Sequence, residues 1–567
     1  MRACIVVCER ETERVIADGG GCAGAGGERG EREQERAPSS DGHLFILDRR
    51  KGASIVENLL CPDSLRLFPA KFSASLAVSD GSASLKTGLH KISYPQGPRR
   101  TARPTRPSNE GRGIVSALTD RFTLDILKMI DSGALEGSFA DFVRLSGKSL
   151  ELRTRRYHEW RRNRLEQGVW PFSTQLQSTP GPEATVIDEA RQERTGVNFA
   201  SQDYLGLAAH DAVRAAATQA IKEYGTHTAG SPVLQGNCSL SLHLQTALAE
   251  LIGLPHVVLF PTGWAAGYGV IAALVGSRDH VVLDRYAHNC CVQGAMGATR
   301  NVHRVRHLST DAFVRQLRRI RATDAENAIL VVTEGIFSMD GDSPDLQALQ
   351  AACREYEATL VVDVAHDLGA VGPGGTGSIG LQNLVGQVDL VIGSFSKVFA
   401  SNGGFVATSS AAIREYLRPY APSHTFSNAL SPPQCATVLS ALEIVRSPEG
   451  EVLRQNLRSV VQFLREALTS EGVECLGKPG PLVPVLLGPE AVGRLTAALC
   501  FDRGVFASLV EFPAVSVGAS RFRMQVMATH TFAHARLATE VIGWAYRFAK
   551  QLLGRATVAA PTARASA

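Results

Sequence analysis

The chain has 567 residues, 44% of them hydrophobic and 20% charged, with a net charge of +4. That length holds two or more domains, the balance is that of an ordinary globular protein, and the small charge without a basic, aromatic-laced stripe excludes a nucleic-acid binder. The eleven cysteines are odd in number with no Cys-x-x-Cys pair, and the adjacent Cys290 and Cys291 suit neither a disulfide framework nor a zinc site, so the chain reads as a reduced, intracellular protein.

In chain order, residues 1–112 are rich in Gly, Ser, Arg and Glu and read as a disordered or low-complexity extension. No stretch there has the pattern of a cleaved secretory signal. Residues 113–195 read as a helical segment, with the basic run Arg155 to Arg164 as a solvated helix face. Residues 196–430 form the large domain, 431–553 a smaller C-terminal α+β domain, and 554–567 a disordered tail.

The run from Ile252 to Gly276 has no formal charge, but Pro255, Pro261 and several glycines interrupt it. A strand, a glycine turn and a buried helix account for it better than a membrane span.

Five apolar runs follow without polar alternation, at 256–260, 280–284, 328–334, 359–363 and 389–393. Such runs fit strands buried on both faces of a mainly parallel sheet, and the spacing leaves room for crossover helices. The fold class is therefore α/β, and ligands of such sheets gather beyond the C-terminal strand ends. Those ends carry Gly263, His288, Ser338, Asp363 with His366, and the segment "GSFSKVFASNGGF" with Ser394, Ser396 and Lys397.

Taken singly, each has a plainer reading: a loop lysine, a helix cap at Asp363, core or loop histidines, turn serines. Together they suit one ligand. A buried carboxylate such as Asp363 needs a cationic partner, which a protonated pyridine nitrogen supplies. Lys397 can form a Schiff base with an aldehyde. Ser394, Ser396 and the amides near Gly263 can hold a phosphate, and His288 can stack on a ring. Pyridine, aldehyde and phosphate together describe pyridoxal 5′-phosphate, an electron sink for carbanions.

From about Val197 to His534 the chain resembles the α-oxoamine synthases of the fold-type I pyridoxal-phosphate enzymes. The resemblance rests on "NFASQDYLGLAAH", "FPTGWAAGYGVIAAL", "TEGIFSMDGD", "VVDVAHDLGAVGPGGTG", "GSFSKVFASNGGF" and "FPAVSVGASRFRMQVMATHT". It implies that Lys397 carries the cofactor, Asp363 faces its ring nitrogen, His366 and Ser338 lie at the ring hydroxyl and His288 stacks on the ring. It further implies phosphate contacts from Ser394, Ser396, Gly263 and Trp264, and from Ser427 to the neighbouring subunit of a homodimer. Arg523, with Gln202 nearby, would hold the amino-acid carboxylate. The implied reaction joins an amino acid to an acyl-CoA with loss of carbon dioxide.

Within the family, the extended N-terminal segment and "TFSNALSPPQCATVLSALEIV" resemble the serine palmitoyltransferases most. That implies L-serine and palmitoyl-CoA as substrates, the first step of sphingolipid synthesis, and a cytoplasmic or endoplasmic-reticulum-surface address with membrane association through the lipid product. The alternatives are glycine C-acetyltransferase, 8-amino-7-oxononanoate synthase, 5-aminolevulinate synthase and a non-catalytic scaffold subunit. Three positions depart from the family pattern: Gln202 for Asn, Pro232 for Arg and Ala400 for Gly.

Overall fold

The aliphatic runs read from the sequence form the centre of one sheet. In the computed structural model, which describes residue 129 and residues 132–559, thirteen strands fall into two sheets. Strands β1 (Gln175–Leu176), β2 (Glu183–Ile187) and β3 (Glu193–Phe199) come first. They are followed by β4 (His256–Phe260), β5 (His280–Asp284), β6 (Val302–Val305), β7 (Ile329–Glu334), β8 (Thr359–Asp363), β9 (Leu390–Ser394) and β10 (Gly404–Thr408). The last are β11 (Leu482–Gly488), β12 (Val505–Val510) and β13 (Ser520–Gln525).

The larger sheet has the order β4-β10-β9-β8-β7-β5-β6. Strands β9, β8, β7, β5 and β6 run parallel, and β10 alone is antiparallel to both its neighbours. Helices on both faces shield these strands, which is why β7 is buried at every position. One edge of the sheet therefore collects the C-terminal ends of β4, β5, β7, β8 and β9. The start of β10 joins them, because Gly404 pairs with both Phe260 and Ser394.

The smaller sheet, β1-β2-β3-β12-β13-β11, draws on both ends of the described chain. This corrects the reading of 113–195 as helical. One long helix, Leu150–Glu166, is present, but Pro180-Gly181-Pro182 then opens an antiparallel β2–β3 hairpin rich in β-branched residues, Thr185, Val186, Ile187, Thr195 and Val197. Strand β3 pairs in parallel with β12, so the C-terminal domain is completed by residues that precede the large domain.

A buried arginine fastens this segment. Arg494 bonds Glu511 at 2.8 Å and the carbonyl of Leu135 at 2.8 Å. Arg164 lies 4.4 Å over the Trp160 ring. The last helix, Phe532–Ala559, runs past residue 553, where the tail was expected to begin. Residues 1–112 and 560–567 lie outside the described residues.

The apolar run from Ile252 resolves into β4 and the helix Gly263–Leu274, separated by a turn. Among the described residues no helix is long and apolar enough to cross a membrane.

Candidate active site

Lys397 stands three residues beyond the end of β9 in a loop that returns as β10. Its side chain is half-buried. Burial pushes its pKa down, and the positive Arg523 adds to this, against the opposing pull of Asp363. A lysine held this way is more easily neutral and hence more nucleophilic. Ala400, in the same loop, has φ +53°, a left-handed conformation that explains why glycine suits this position.

Asp363 ends β8 and lies beside Glu334 on β7 and Ile392 on β9. Its Oδ1 accepts from the Ala365 amide at 3.0 Å, so a local turn role is present. His366 is buried, and its Nδ1 is 2.8 Å from the Tyr204 hydroxyl. Burial, then the positive charges of Lys397 and Arg523, hold the His366 imidazole well below its usual pKa. Tyr204 is completely buried and was missed in the sequence, where it is one aromatic among many in "SQDYLG".

The phosphate-type cradle is visible as close backbone approach. A Cβ on Gly263 would lie 2.4 Å from Ser394 Cβ, and one on Gly404 would lie 2.6 Å from Gly263 Cα. Only glycine fits at either place. The hydroxyls of Ser394 and Ser396 are 2.8 Å apart. Gly263 and Trp264 open the helix Gly263–Leu274, while its N-cap Thr262 takes the Ala265 amide. Two amides of the first turn and two hydroxyls thus converge at the positive end of a helix, a fit for a phosphate dianion. With a lysine whose pKa is lowered and a strand-end carboxylate at the same edge, the residues present fit pyridoxal phosphate.

His288 caps the helix Asn289–Ala298 and is exposed in the single chain. Its Nδ1 is 2.9 Å from Cys290 Sγ. That contact, against burial, raises the His288 pKa. The hydrogen bond from Cys291 lowers the Cys290 thiol to about 6, while Cys291 is pushed up. Neither thiol was singled out for this site in the sequence.

On β13, Arg521 is taken by Asp340 at 2.6 Å, whereas the buried Nε of Arg523 has no partner. Two arginines on the same face of one strand therefore differ: the first fastens the "SMDGD" loop, and the second is available to an anion. Ser338 is buried on that loop. It lines a cavity of about 1030 Å³ together with His288, Arg285, Arg304 and Arg306. Gln202 is half-buried, and Ser427 follows Phe426, which is 87% exposed. Among the described residues no side-chain hydrogen bond joins Gln202 or Ser427 to the cluster.

Behind the cavity wall His307 bridges two carboxylates, Asp284 at 2.8 Å and Asp342 at 3.1 Å. It ties the loop that carries His288 to the loop that carries Ser338. Nothing in its sequence neighbourhood, "RVRHLST", marks it.

The sequence profile of the aminotransferase class I and II family matches residues 194–542. An 8-amino-7-oxononanoate synthase of Geobacter metallireducens is 36% identical over 330 residues, 58% of this chain and 83% of that protein. A serine palmitoyltransferase of Sphingobacterium spiritivorum is 34% identical over 366 residues, 65% of this chain and 89% of that protein. Among solved structures, the Sphingomonas wittichii serine palmitoyltransferase superimposes with a TM-score of 0.66 at 26% identity, covering 71% of this chain and 99% of that one. A Francisella tularensis 8-amino-7-oxononanoate synthase gives 0.52 at 21% identity, a likeness of fold, covering 62% of this chain and 98% of that one.

Proposed function

This chain belongs to the α-oxoamine synthases within the class I and II aminotransferase family, and from that membership we propose that it joins L-serine to a long-chain acyl-CoA, palmitoyl-CoA in the first instance. The products are a 3-oxo-amine, free CoA and carbon dioxide. The cofactor is pyridoxal phosphate. When bound, it supplies an electron sink for the carbanion formed at the amino-acid Cα.

The chain's own residues do the rest. Lys397 would hold the cofactor by its aldehyde and would be the base that moves the proton at the amino-acid Cα. Asp363 would face the ring nitrogen. His366, held by Tyr204 at 2.8 Å, meets the ring hydroxyl with Ser338 near it. His288 would cover the ring face and limit water there. Gly263, Trp264, Ser394 and Ser396 would hold the phosphate, and Ser427 of a second copy would complete that cradle in a homodimer. The exposed Phe426 beside Ser427 supports an interface there. Gln202 lies towards the amino-acid carboxylate.

The observation that carries the reading is the buried, unpartnered Nε of half-buried Arg523 on β13, whose charge acts on Lys397 and His366. A buried guanidinium nitrogen without an acceptor calls for an anion, and the amino-acid carboxylate supplies it. The solved serine palmitoyltransferases at 26–27% identity and the relative of that name support serine and a long acyl chain. A second reading, 8-amino-7-oxononanoate synthesis from L-alanine, is favoured by the curated relatives of that name.

The test is the visible absorption of the cofactor-loaded protein during titration with L-serine, L-alanine, glycine and L-threonine, followed by palmitoyl-CoA. A saturable change with serine and product formation with palmitoyl-CoA are expected. Saturation by alanine alone would replace this reading with the second one. A chain that takes up no cofactor would be a scaffold subunit.

A further inference from the structure

Cys290, Cys291 and Asp363 form a set of ligand atoms that the amino-acid chemistry leaves unused as a set. Two Sγ atoms and a carboxylate oxygen all lie within 4.8 Å of one another. The sulfurs are 3.8 Å apart, and both thiols are buried. Two sulfurs bound to a tetrahedral zinc at about 2.3 Å each are held about 3.8 Å apart, so this pair needs no spreading. His288 Nδ1, 2.9 Å from Cys290 Sγ, hydrogen-bonds this thiol from outside the three-atom group. Gly267 makes room for the arrangement, because a Cβ there would lie 2.4 Å from Cys290 Sγ.

A second observation is independent of the thiols. Glu334 pairs in register with Asp363 across β7 and β8 and is 3% exposed. Its Oε1 is buried with no hydrogen-bond partner. A buried carboxylate oxygen without a donor is costly, and a nearby cation offsets that cost.

We propose that Cys290 and Cys291, which in sequence alone suit no zinc site, form one together with Asp363 for a thiophilic divalent cation such as zinc, and that this cation and the cofactor exclude one another. Two soft sulfur ligands select zinc or cadmium over magnesium or calcium. Each protonated thiol releases its proton on binding. Exclusion follows from Asp363, which cannot serve both the cofactor's ring nitrogen and the metal. The site makes a thiophilic cation a reversible inhibitor at the floor of the cofactor pocket. The exclusion rests on the proposed role of Asp363; the metal site itself does not.

Cadmium is the probe, because its thiolate charge transfer absorbs in the ultraviolet, away from the cofactor's visible band. Titration of the cofactor-loaded protein should produce the thiolate–cadmium band while the visible band falls and pyridoxal phosphate passes into the filtrate. A chelator with added cofactor should reverse both. C290S and C291S, shown to be folded by their visible band, should bind cadmium at least about tenfold more weakly at this site. Undiminished cadmium binding in both variants would overturn the site. Cadmium binding with full cofactor retention would overturn the exclusion. A protein that never acquires a visible band with added pyridoxal phosphate would refute the cofactor reading, and the thiolate–cadmium band of wild type against C290S would still decide the site.

Discussion

Replacing His307 by glutamine tests whether the cavity walls are held together by charge. Burial alone would lower the pKa of this imidazole, but hydrogen bonds to Asp284 and Asp342 more than reverse that and raise it from 6.5 to about 9. The pair is well shielded, with side-chain exposures of 15% for His307 and 1% for Asp284. At about 1.4 kcal/mol per pH unit, the displacement corresponds to an upper figure of about 3 kcal/mol. A group whose folded pKa is raised stabilises fully below its unfolded pKa and loses that contribution as pH rises through the folded one. The contribution is therefore complete near pH 6 and fades through about pH 9. Urea unfolding should find H307Q less stable than wild type by about 2–3 kcal/mol near pH 6 and by about 1 kcal/mol or less near pH 10. An equal loss at both pH values would refute the ionic brace and leave only packing against Tyr286 and Phe337, whose rings lie 4.6 Å away.

Three further outcomes follow from the geometry. Gly263→Val should weaken pyridoxal phosphate binding by at least about tenfold, read by equilibrium dialysis, because the new side chain overlaps Ser394. Arg523→Gln should raise the amino-acid KM about tenfold to a hundredfold with a smaller change in kcat, the scale of one lost charge-assisted hydrogen bond, whereas unchanged KM would place the carboxylate elsewhere. Arg494→Met should lower stability by about 3–5 kcal/mol in denaturant unfolding, because it leaves Glu511 buried without its partner.

The parallel strands were legible because burial on both faces removes polar alternation. The runs at 256–260, 280–284 and 359–363 match β4, β5 and β8 residue for residue. Strand β10 was hidden because "GFVAT" follows directly on the Lys397 loop and reads as its continuation. The β2–β3 hairpin was lost in a stretch taken as helical, since its partner, β12, lies some three hundred residues away.

The sequence by itself determined five of the seven strands of the large sheet, the edge where chemistry gathers, and the residue types that a pyridine, an aldehyde and a phosphate require. Those follow from local patterns: strand runs, glycine turns and polar residues at strand ends. Tertiary structure alone decided which groups meet. It gave Arg521 to Asp340 and left Arg523 without a partner at Nε. It placed Tyr204 on His366, His307 between two carboxylates, and the thiols of Cys290 and Cys291 beside Asp363. The physical reason is that partner choice depends on distances between elements far apart in sequence, and no local period encodes those distances.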